Sequence, residues 1–436
     1  MTSPRISTPA EAAAAIRPAD VMALGLGPAH PGAFLHALGD RDDWVDLQVN
    51  GALLTDLYSV FTKPGVTFNS GFFGPAERFL RDSGGQIYFI PSDFRGFEPI
   101  LQQLNPRVMA TSISAPDADG YCSLSLHAGA SVRELHRCGA DPDRVLIAEF
   151  SEYYPRTYGV EPEHPHRLHV DEIDILVESD AQPVHLADPE PGDADRAIAE
   201  YARAFIEDGS TLQTGIGAIP SLIASMLADG PGGGYGVHSE MFTTGLMHLH
   251  QAGKVTNHNK GEFDGYSVTT FAAGSPELYT WLHENRDVRF LPVDVVNDPR
   301  LISLNRKFVS INGAIAVDLY GQVAADTMGG KQHSGIGGHE DFVAGAALQL
   351  EDRSLLCLRS STMQADGRVS RIMPLIDHGL LVTTPRHQTD VVITEYGIAE
   401  LWGYDQQAQC RHIIRDAANP RVRDELWEEA RELGLA

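Results

Sequence analysis

The sequence predicts an α/β protein made of two related open α/β domains, and three observations carry that expectation. Short apolar runs of strand type alternate with apolar helical stretches along the chain, the pattern of sheets layered with helices. An ordered set of motifs in the first half recurs in the second. Between the halves the text changes to ADPEPGDADRAIAEY, a Pro-, Gly- and Asp-rich passage leading into an amphipathic helix. The boundary is placed there, giving domains over residues 1–190 and 191–436.

In the first domain VMALGLG, QIYFIP, VMATSIS, RVLIAEF and IDILVES read as short buried strands separated by apolar helical stretches and Gly/Pro turns. In the second domain GSTLQTGIGAIPSLIASML (209–227) echoes ADVMALGLGPAHPGAFLHAL (19–38): strand, G-x-G, a turn containing proline, then helix. GVHSEMFTTGLMHL likewise echoes FNSGFFGPAERFL, and Asp318 to Gly321 repeats the D-x-x-G turn of Asp117 to Gly120. The tail NPRVRDELWEEARELG reads as a charged amphipathic helix packing on the outside.

The formal net charge of -26 makes a surface that repels nucleic acid and anionic membranes, so neither is expected as a partner. Four scattered cysteines without a CxxC pair argue for a reducing compartment, without disulfides or a zinc knuckle. The amino terminus lacks the apolar core of a signal peptide and no apolar run approaches a membrane span, which points to the cytoplasm.

Three segments can carry chemistry. GIGAIP (Gly215 to Pro220) ends a strand in G-x-G before a helix, which exposes backbone N–H groups able to hold an oxyanion or phosphate; a plain tight turn fits equally well. In GGGYGVHSEMFTTG, Glu240 ends a short strand ahead of an apolar helix, displaying a carboxylate at the carboxyl edge of a parallel sheet. Ser239 is the candidate helix cap there, and His238 is either a general base or a core imidazole. DTMGGKQHSGIGGHEDF (326–342) supplies Gly335, Gly337 and Gly338 for close backbone approach and Lys331 as a cation for a phosphate or carboxylate. Within it Asp341 reads as a structural helix-start residue and Glu340 as the rival of Glu240. The histidines His248, His250, His258, His333 and His339 show no HExxH-type spacing, so no catalytic metal is expected. GxSxG and GxxxxGK[ST] are absent, which argues against serine hydrolases and P-loop enzymes.

GIGAIP, GVHSEMFTTG, KVTNHNKG, LPVDVVNDP, SINGAIAVDLYGQV, GGKQHSGIGGHEDF and ITEYGIAELWG, in that order, resemble the acetyl-CoA hydrolase/transferase family over about residues 15 to 430. That family includes 4-hydroxybutyrate and succinyl-CoA:acetate CoA-transferases. The resemblance implies two open α/β domains of the CoA-transferase type with the active site at their interface, and a homodimer. It implies Glu240 as nucleophile, forming a glutamyl-CoA thioester, with coenzyme A or acyl-CoA as substrate and a small carboxylic acid as partner. Backbone at Gly215, Ile216, Gly217, Gly335, Gly337 and Gly338, with Lys331, would form oxyanion and CoA-binding walls, and Asn312 would meet the substrate carboxylate. The chain departs from the family in EFSEYYPRTYG (Glu149 to Gly159), in FTTG after the nucleophile, and at His333, His339 and Glu340. These departures bear on the acyl substrate and not on the reaction type. Acyl-CoA hydrolysis is the alternative, reached if water attacks the glutamyl-CoA. A sugar-phosphate isomerase would not require the HSEMF arrangement, and a regulatory effector-binding protein would carry a helix-turn-helix or basic patch that is absent here.

Overall fold

The computed structural model describes residues 5–187, 189–364, 367–376 and 379–436. The chain forms two compact units, Met1–Leu186 with Val268–Val296, and Ala187–Ser267 with Asn297–Ala436. The expected boundary near residue 190 has its counterpart after Leu186, but residues 268–296, expected in the second domain, belong to the first unit. Specific bonds tie them there. Leu186 donates its N–H to Gly274 O at 2.9 Å, the Tyr279 hydroxyl donates to Val184 O at 2.6 Å, and Arg133 pairs with Asp294 at 2.6 Å. A reading that keeps each domain contiguous does not detect such an excursion.

The first unit is built on an eight-stranded parallel sheet. Its strands are β1 (Arg5–Ser7), β2 (Ala19–Leu26), β3 (Asp46–Ala52), β4 (Val66–Ser70), β5 (Gln86–Phe89), β6 (Val108–Ser114), β7 (Val145–Ser151) and β8 (Ile175–Glu178). Their order across the sheet is β1-β8-β7-β6-β2-β3-β4-β5. Every residue of β6 is buried, as befits a central parallel strand covered on both faces. Met22, Val49, Phe68, Val108 and Ile147 from neighbouring strands meet in one apolar core.

The second unit has a six-stranded sheet of β9 (Thr211–Thr214), β10 (Gly236–Val237), β11 (Phe308–Gly313), β12 (Arg353–Cys357), β13 (Val391–Thr394) and β14 (Gly397–Glu400). The order is β10-β9-β11-β12-β13-β14, parallel except for the antiparallel hairpin of β13 and β14. Val317, Val343, Leu356, Val392 and Ile413 form its core, to which the tail helix Arg423–Glu432 contributes Leu426 and Ala430.

The echoes between the halves recur at the level of single hydrogen bonds. In both D-x-x-G turns the glycine N–H returns to the aspartate carbonyl, Gly120 to Asp117 at 3.0 Å and Gly321 to Asp318 at 2.9 Å. Each aspartate Oδ1 also accepts two later N–H groups, Asp119 and Tyr121 in one turn, Tyr320 and Gln322 in the other. At the end of β4 the Ser70 hydroxyl lies 2.9 Å from Phe72 O, and beyond β10 the Ser239 hydroxyl lies 2.8 Å from Met241 O. The residue between each pair is Gly71 in the first unit and Glu240 in the second.

Candidate active site

The segment that bears Glu240 is fixed almost residue by residue. Gly236 N–H donates to Ser210 O at 3.0 Å and His238 N–H to Leu212 O at 3.1 Å, which pairs the strand with β9. On the other side Val237 donates to Asn257 Oδ1 at 2.9 Å, and its carbonyl accepts from Lys260 Nζ at 3.1 Å. Lys260 also donates to Tyr266 O at 2.7 Å, and burial pushes its amine down to about 7. Ser239 Oγ lies 3.1 Å from Thr214 O and accepts from Thr214 N–H at 3.3 Å. The residue before Glu240 is thereby tied to the residue before Gly215.

Helix α1 (Ala218–Asp229) follows the G-x-G turn, and α2 (Thr244–Gln251) follows Glu240. A Cβ on Gly245 would stand 2.9 Å from the Ala224 methyl, so glycine at this position lets the two helices pack closely. Thr243, rather than Ser239, caps α2, its hydroxyl accepting from Leu246 N–H at 3.4 Å. Glu240 is therefore not a helix cap. His238 is fully buried, beside Asn305 and edge-on to Phe308 and Phe342, so of its two sequence readings the core imidazole is the one seen.

Around the Glu240 carboxylate the structure gathers three groups. The Asn297 amide donates from Nδ2 to Glu240 Oε2 at 2.8 Å. The same nitrogen donates to Asp341 Oδ2 at 2.9 Å. Gly338, the residue before helix α3 (His339–Ala346), offers its backbone N–H to the Glu240 carboxylate and lies so close that a Cβ there would overlap Oε2. Burial pushes the Glu240 carboxyl up to about 7, while the bonds from Asn297 and Gly338 favour the ionised form and partly offset that rise.

The rival carboxylate is engaged elsewhere. Glu340 Oε1 accepts from the Thr384 hydroxyl at 2.5 Å, and His339 Nε2 lies 2.8 Å from that same hydroxyl. The loop before α3 is ordered by Asp326, whose carbonyl accepts from the N–H groups of His333 and Ser334. Its carboxylate accepts from Gln332 at 2.9 Å and Thr383 at 2.8 Å. Gly335 and Gly338 are buried in this loop, and Gly337 adopts a φ of +59° that favours glycine. Lys331 stands apart: it is exposed on a small hairpin of Thr327–Met328 and Lys331–Gln332, turned by Gly329 and Gly330.

Gly215, Ile216, Gly217 and Asn312 come together around a cavity of about 320 Å3, with Ile219, Pro220, Ile311 and Cys357. Gly217 has a φ of +122° and precedes α1, leaving the amino end of that helix open toward the cavity. Asn312 donates to Ser310 Oγ at 2.7 Å and sits near the carboxyl end of β11, where open α/β sheets hold ligands. At the rim Arg359 forks onto Asp195. Among the described residues no group of three or more His, Cys, Asp or Glu is placed to hold a metal, and no helix is long and apolar enough to cross a membrane.

Asn297, Asp341 and the Arg359–Asp195 pair are absent from the site residues expected from sequence. Asn297 lies in LPVDVVNDP, one of the resembling segments, and that was the available signal; Asp341 gives none beyond its helix-start position.

Residues 274–430 match the family model for the acetyl-CoA hydrolase/transferase C-terminal domain. The chain is 35% identical to the 4-hydroxybutyrate coenzyme A transferase of Clostridium kluyveri over 416 residues, 91% of this chain and 92% of that protein. It is 30% identical to the succinyl-CoA:cyclohexane-1-carboxylate CoA transferase of Geobacter metallireducens over 433 residues, 98% and 95% of the two chains. Among solved structures, RipA from Yersinia pestis has a TM-score of 0.87 at 30% identity, covering 99% of this chain and 98% of that one. With likeness of this depth over nearly its whole length, the chain belongs to the acetyl-CoA hydrolase/transferase family.

Proposed function

We propose that the protein is an acyl-CoA:carboxylate CoA-transferase with Glu240 as its covalent nucleophile. The observation that carries this reading is the Glu240 carboxylate itself, displayed beyond a sheet edge and bonded by the Asn297 amide and the Gly338 N–H. A carboxylate oxygen of Glu240 attacks the thioester carbonyl; the C–S bond breaks, giving an acyl-glutamyl anhydride and CoA thiolate. The thiolate attacks Cδ of Glu240, and the anhydride C–O bond breaks to release the first acid as its carboxylate. A second carboxylate then runs the two steps in reverse and leaves as a new acyl-CoA. One negative charge passes through the sequence with no net proton transfer, so no general base and no ATP are needed. This agrees with the packing of His238 in the core.

The N–H groups of Gly338, Ile216 and Gly217 are the donors assigned to the oxyanions, and Asn312 to the substrate carboxylate. Lys331, on its exposed hairpin, is assigned to the CoA phosphates, with the wall completed by Gly215, Gly335 and Gly337. The relatives named above as CoA transferases support acyl-CoA and a carboxylic acid as the substrates. Hydrolysis is the second reading, favoured by a likeness to the acetyl-CoA hydrolase of Candida albicans, 26% identical over half of this chain. A cytoplasmic homodimer belongs to the same proposal.

The test is to incubate the protein with an acyl-CoA and no acceptor, then map adducts by mass spectrometry. A CoA thioester on Glu240 is the expected result, and its absence overturns the covalent reading. Adding carboxylates beside a free-thiol assay then separates transfer from hydrolysis. The pH profile gives an independent check. Glu240 attacks as the carboxylate and burial raises its pKa to about 7, so kcat/KM is expected to fall about tenfold per unit below about pH 7 and to level off above. An acid limb near the ordinary carboxylate range would show that another group limits the reaction.

A further inference from the structure

The KVTNHNKG segment has a definite place in the structure and no part in the chemistry above. Strand β10 stands at one end of the second unit's sheet, where a row of N–H and C=O groups faces outward without a neighbouring strand. Along Tyr235 the main chain of residues 254–257 does the pairing. Tyr235 N–H donates to Lys254 O at 2.9 Å, and Tyr235 O accepts from Thr256 and Asn257 N–H at 3.0 and 3.1 Å. At Asn257, with a φ of +54°, the main chain turns away. Two side chains then take over. The Asn257 amide oxygen accepts from Val237 N–H at 2.9 Å, and the Lys260 amine donates to Val237 O at 3.1 Å. The stem of Lys260 lies across Gly236, where a Cβ would come within 2.8 Å of its Cγ. Both side chains are buried.

The same loop reaches the far side of Glu240. Asn257 Nδ2 donates to Ser267 Oγ at 3.1 Å, and that hydroxyl lies 2.8 Å from Nε2 of His250, in the helix that follows Glu240. Lys260 also donates to Tyr266 O at 2.7 Å, and its own carbonyl accepts from Arg306 N–H at 2.7 Å. One loop thus grips the strand before Glu240 and the helix after it. We propose that Lys260 and Asn257 are positioning residues for Glu240, a pair of side chains that stands in for a missing strand and fixes the register of β10. The inference rests on the covalent role of Glu240. β10 is two residues long, and its bonds to β9 alone would specify its register weakly. A slip of one residue would carry the carboxylate about 3.3 Å, whereas a displacement of about 1 Å is enough to cost about 10²-fold in rate. Both residues act through Val237. They hold the segment that ends in Glu240 where the bonds from Asn297 and Gly338 form.

The test compares wild type with Lys260→Met, Asn257→Gly and the double variant, each well below its melting temperature. The readouts are kcat, KM, single-turnover formation of the Glu240–CoA adduct, and the pH profile. Lys260→Met keeps an unbranched apolar stem and removes the donor, while Asn257→Gly removes the amide at a φ that glycine adopts readily. Each is expected to lower kcat and adduct formation by about 10- to 10²-fold, with KM for acyl-CoA nearly unchanged. The acid limb moves to higher pH, because a displaced carboxylate loses bonds that favour its ionised form. Burial brings the Lys260 amine itself to about 7, against the pull of the Glu262 and Asp264 carboxylates, so Asn257→Gly, which removes no charge, is the variant whose limb decides. The double variant is expected to lose less than the product of the two single losses, since both act on Val237. A merely structural role would lower the melting temperature and leave kcat and the acid limb of the folded protein as in wild type. That result overturns the proposal, as does a double loss equal to the product. If Lys260→Met does not fold, Asn257→Gly decides alone: a wild-type kcat and acid limb refute the positioning role, and a slower kcat with a raised limb supports it. Failure of wild type to form any adduct removes the covalent reading and this inference together, whereas a trapped wild type with unaffected variants removes only the inference.

Discussion

Glu240→Gln is expected to lower turnover by about 10³-fold or more while leaving the fold intact. Glutamine keeps the shape of the side chain, and its amide oxygen can still accept the Asn297 bond, so the surroundings have little reason to rearrange. What disappears is the anionic oxygen, and without it neither the anhydride nor the thioester can form. Any residual rate would come from direct attack of the acceptor acid on a thioester still polarised by backbone donors. Stability is expected to move the other way. A folded carboxyl with its pKa raised to about 7 stabilises the fold most below its unfolded value, and that contribution is lost as pH rises through about 7. The variant lacks this loss, so at neutral pH and above it should melt no lower than wild type. Steady-state rates beside thermal melts at two pH values check both halves. A variant with near wild-type turnover would refute Glu240 as nucleophile.

Gly338→Ala should be nearly as damaging, for a reason visible only in three dimensions. The backbone at Gly338, φ −86° and ψ 6°, is open to any residue, so conformation alone does not demand glycine. The obstacle is steric. The new methyl would overlap Glu240 Oε2 and come within 2.5 Å of Asn297 Nδ2. Both atoms are the ends of side chains that can swing aside, which makes the fold tolerant and the site intolerant. Displacing Glu240 by even about 1 Å is enough to cost about 10²-fold in rate. The expected signature is therefore a loss of roughly 10²-fold or more in kcat with a modest change in melting temperature. Turnover within a few fold of wild type would show that the carboxylate does not need this contact.

The buried parallel strands were legible because each is a short, mostly apolar run rich in β-branched residues, as in VMATSIS and RVLIAEF, bounded by turn residues. Glu240 was legible for the opposite reason, a charge standing at the end of such a run. Asn297 was not, because its meaning lies in two contacts distant in sequence, and a polar residue after DVV reads as the end of a short element. Asp341 looked like a helix-start residue because first-turn acids are common; only its bond to Asn297 distinguishes it. Lys331 illustrates the converse. The Gly329–Gly330 turn closes a hairpin and leaves the lysine exposed, a placement that the run of residue types does not announce.

The paired serines at the ends of β4 and β10 have a consequence for stoichiometry. The same hydroxyl-to-carbonyl bond brackets Glu240 in one half and Gly71 in the other. At Gly71 no side chain fits, because a Cβ would run into the ring of Phe97. The duplicated architecture therefore offers only one berth for a carboxylate at this position, and the two halves are not interchangeable. An exhaustive adduct titration should saturate at one coenzyme per polypeptide, however many polypeptides assemble.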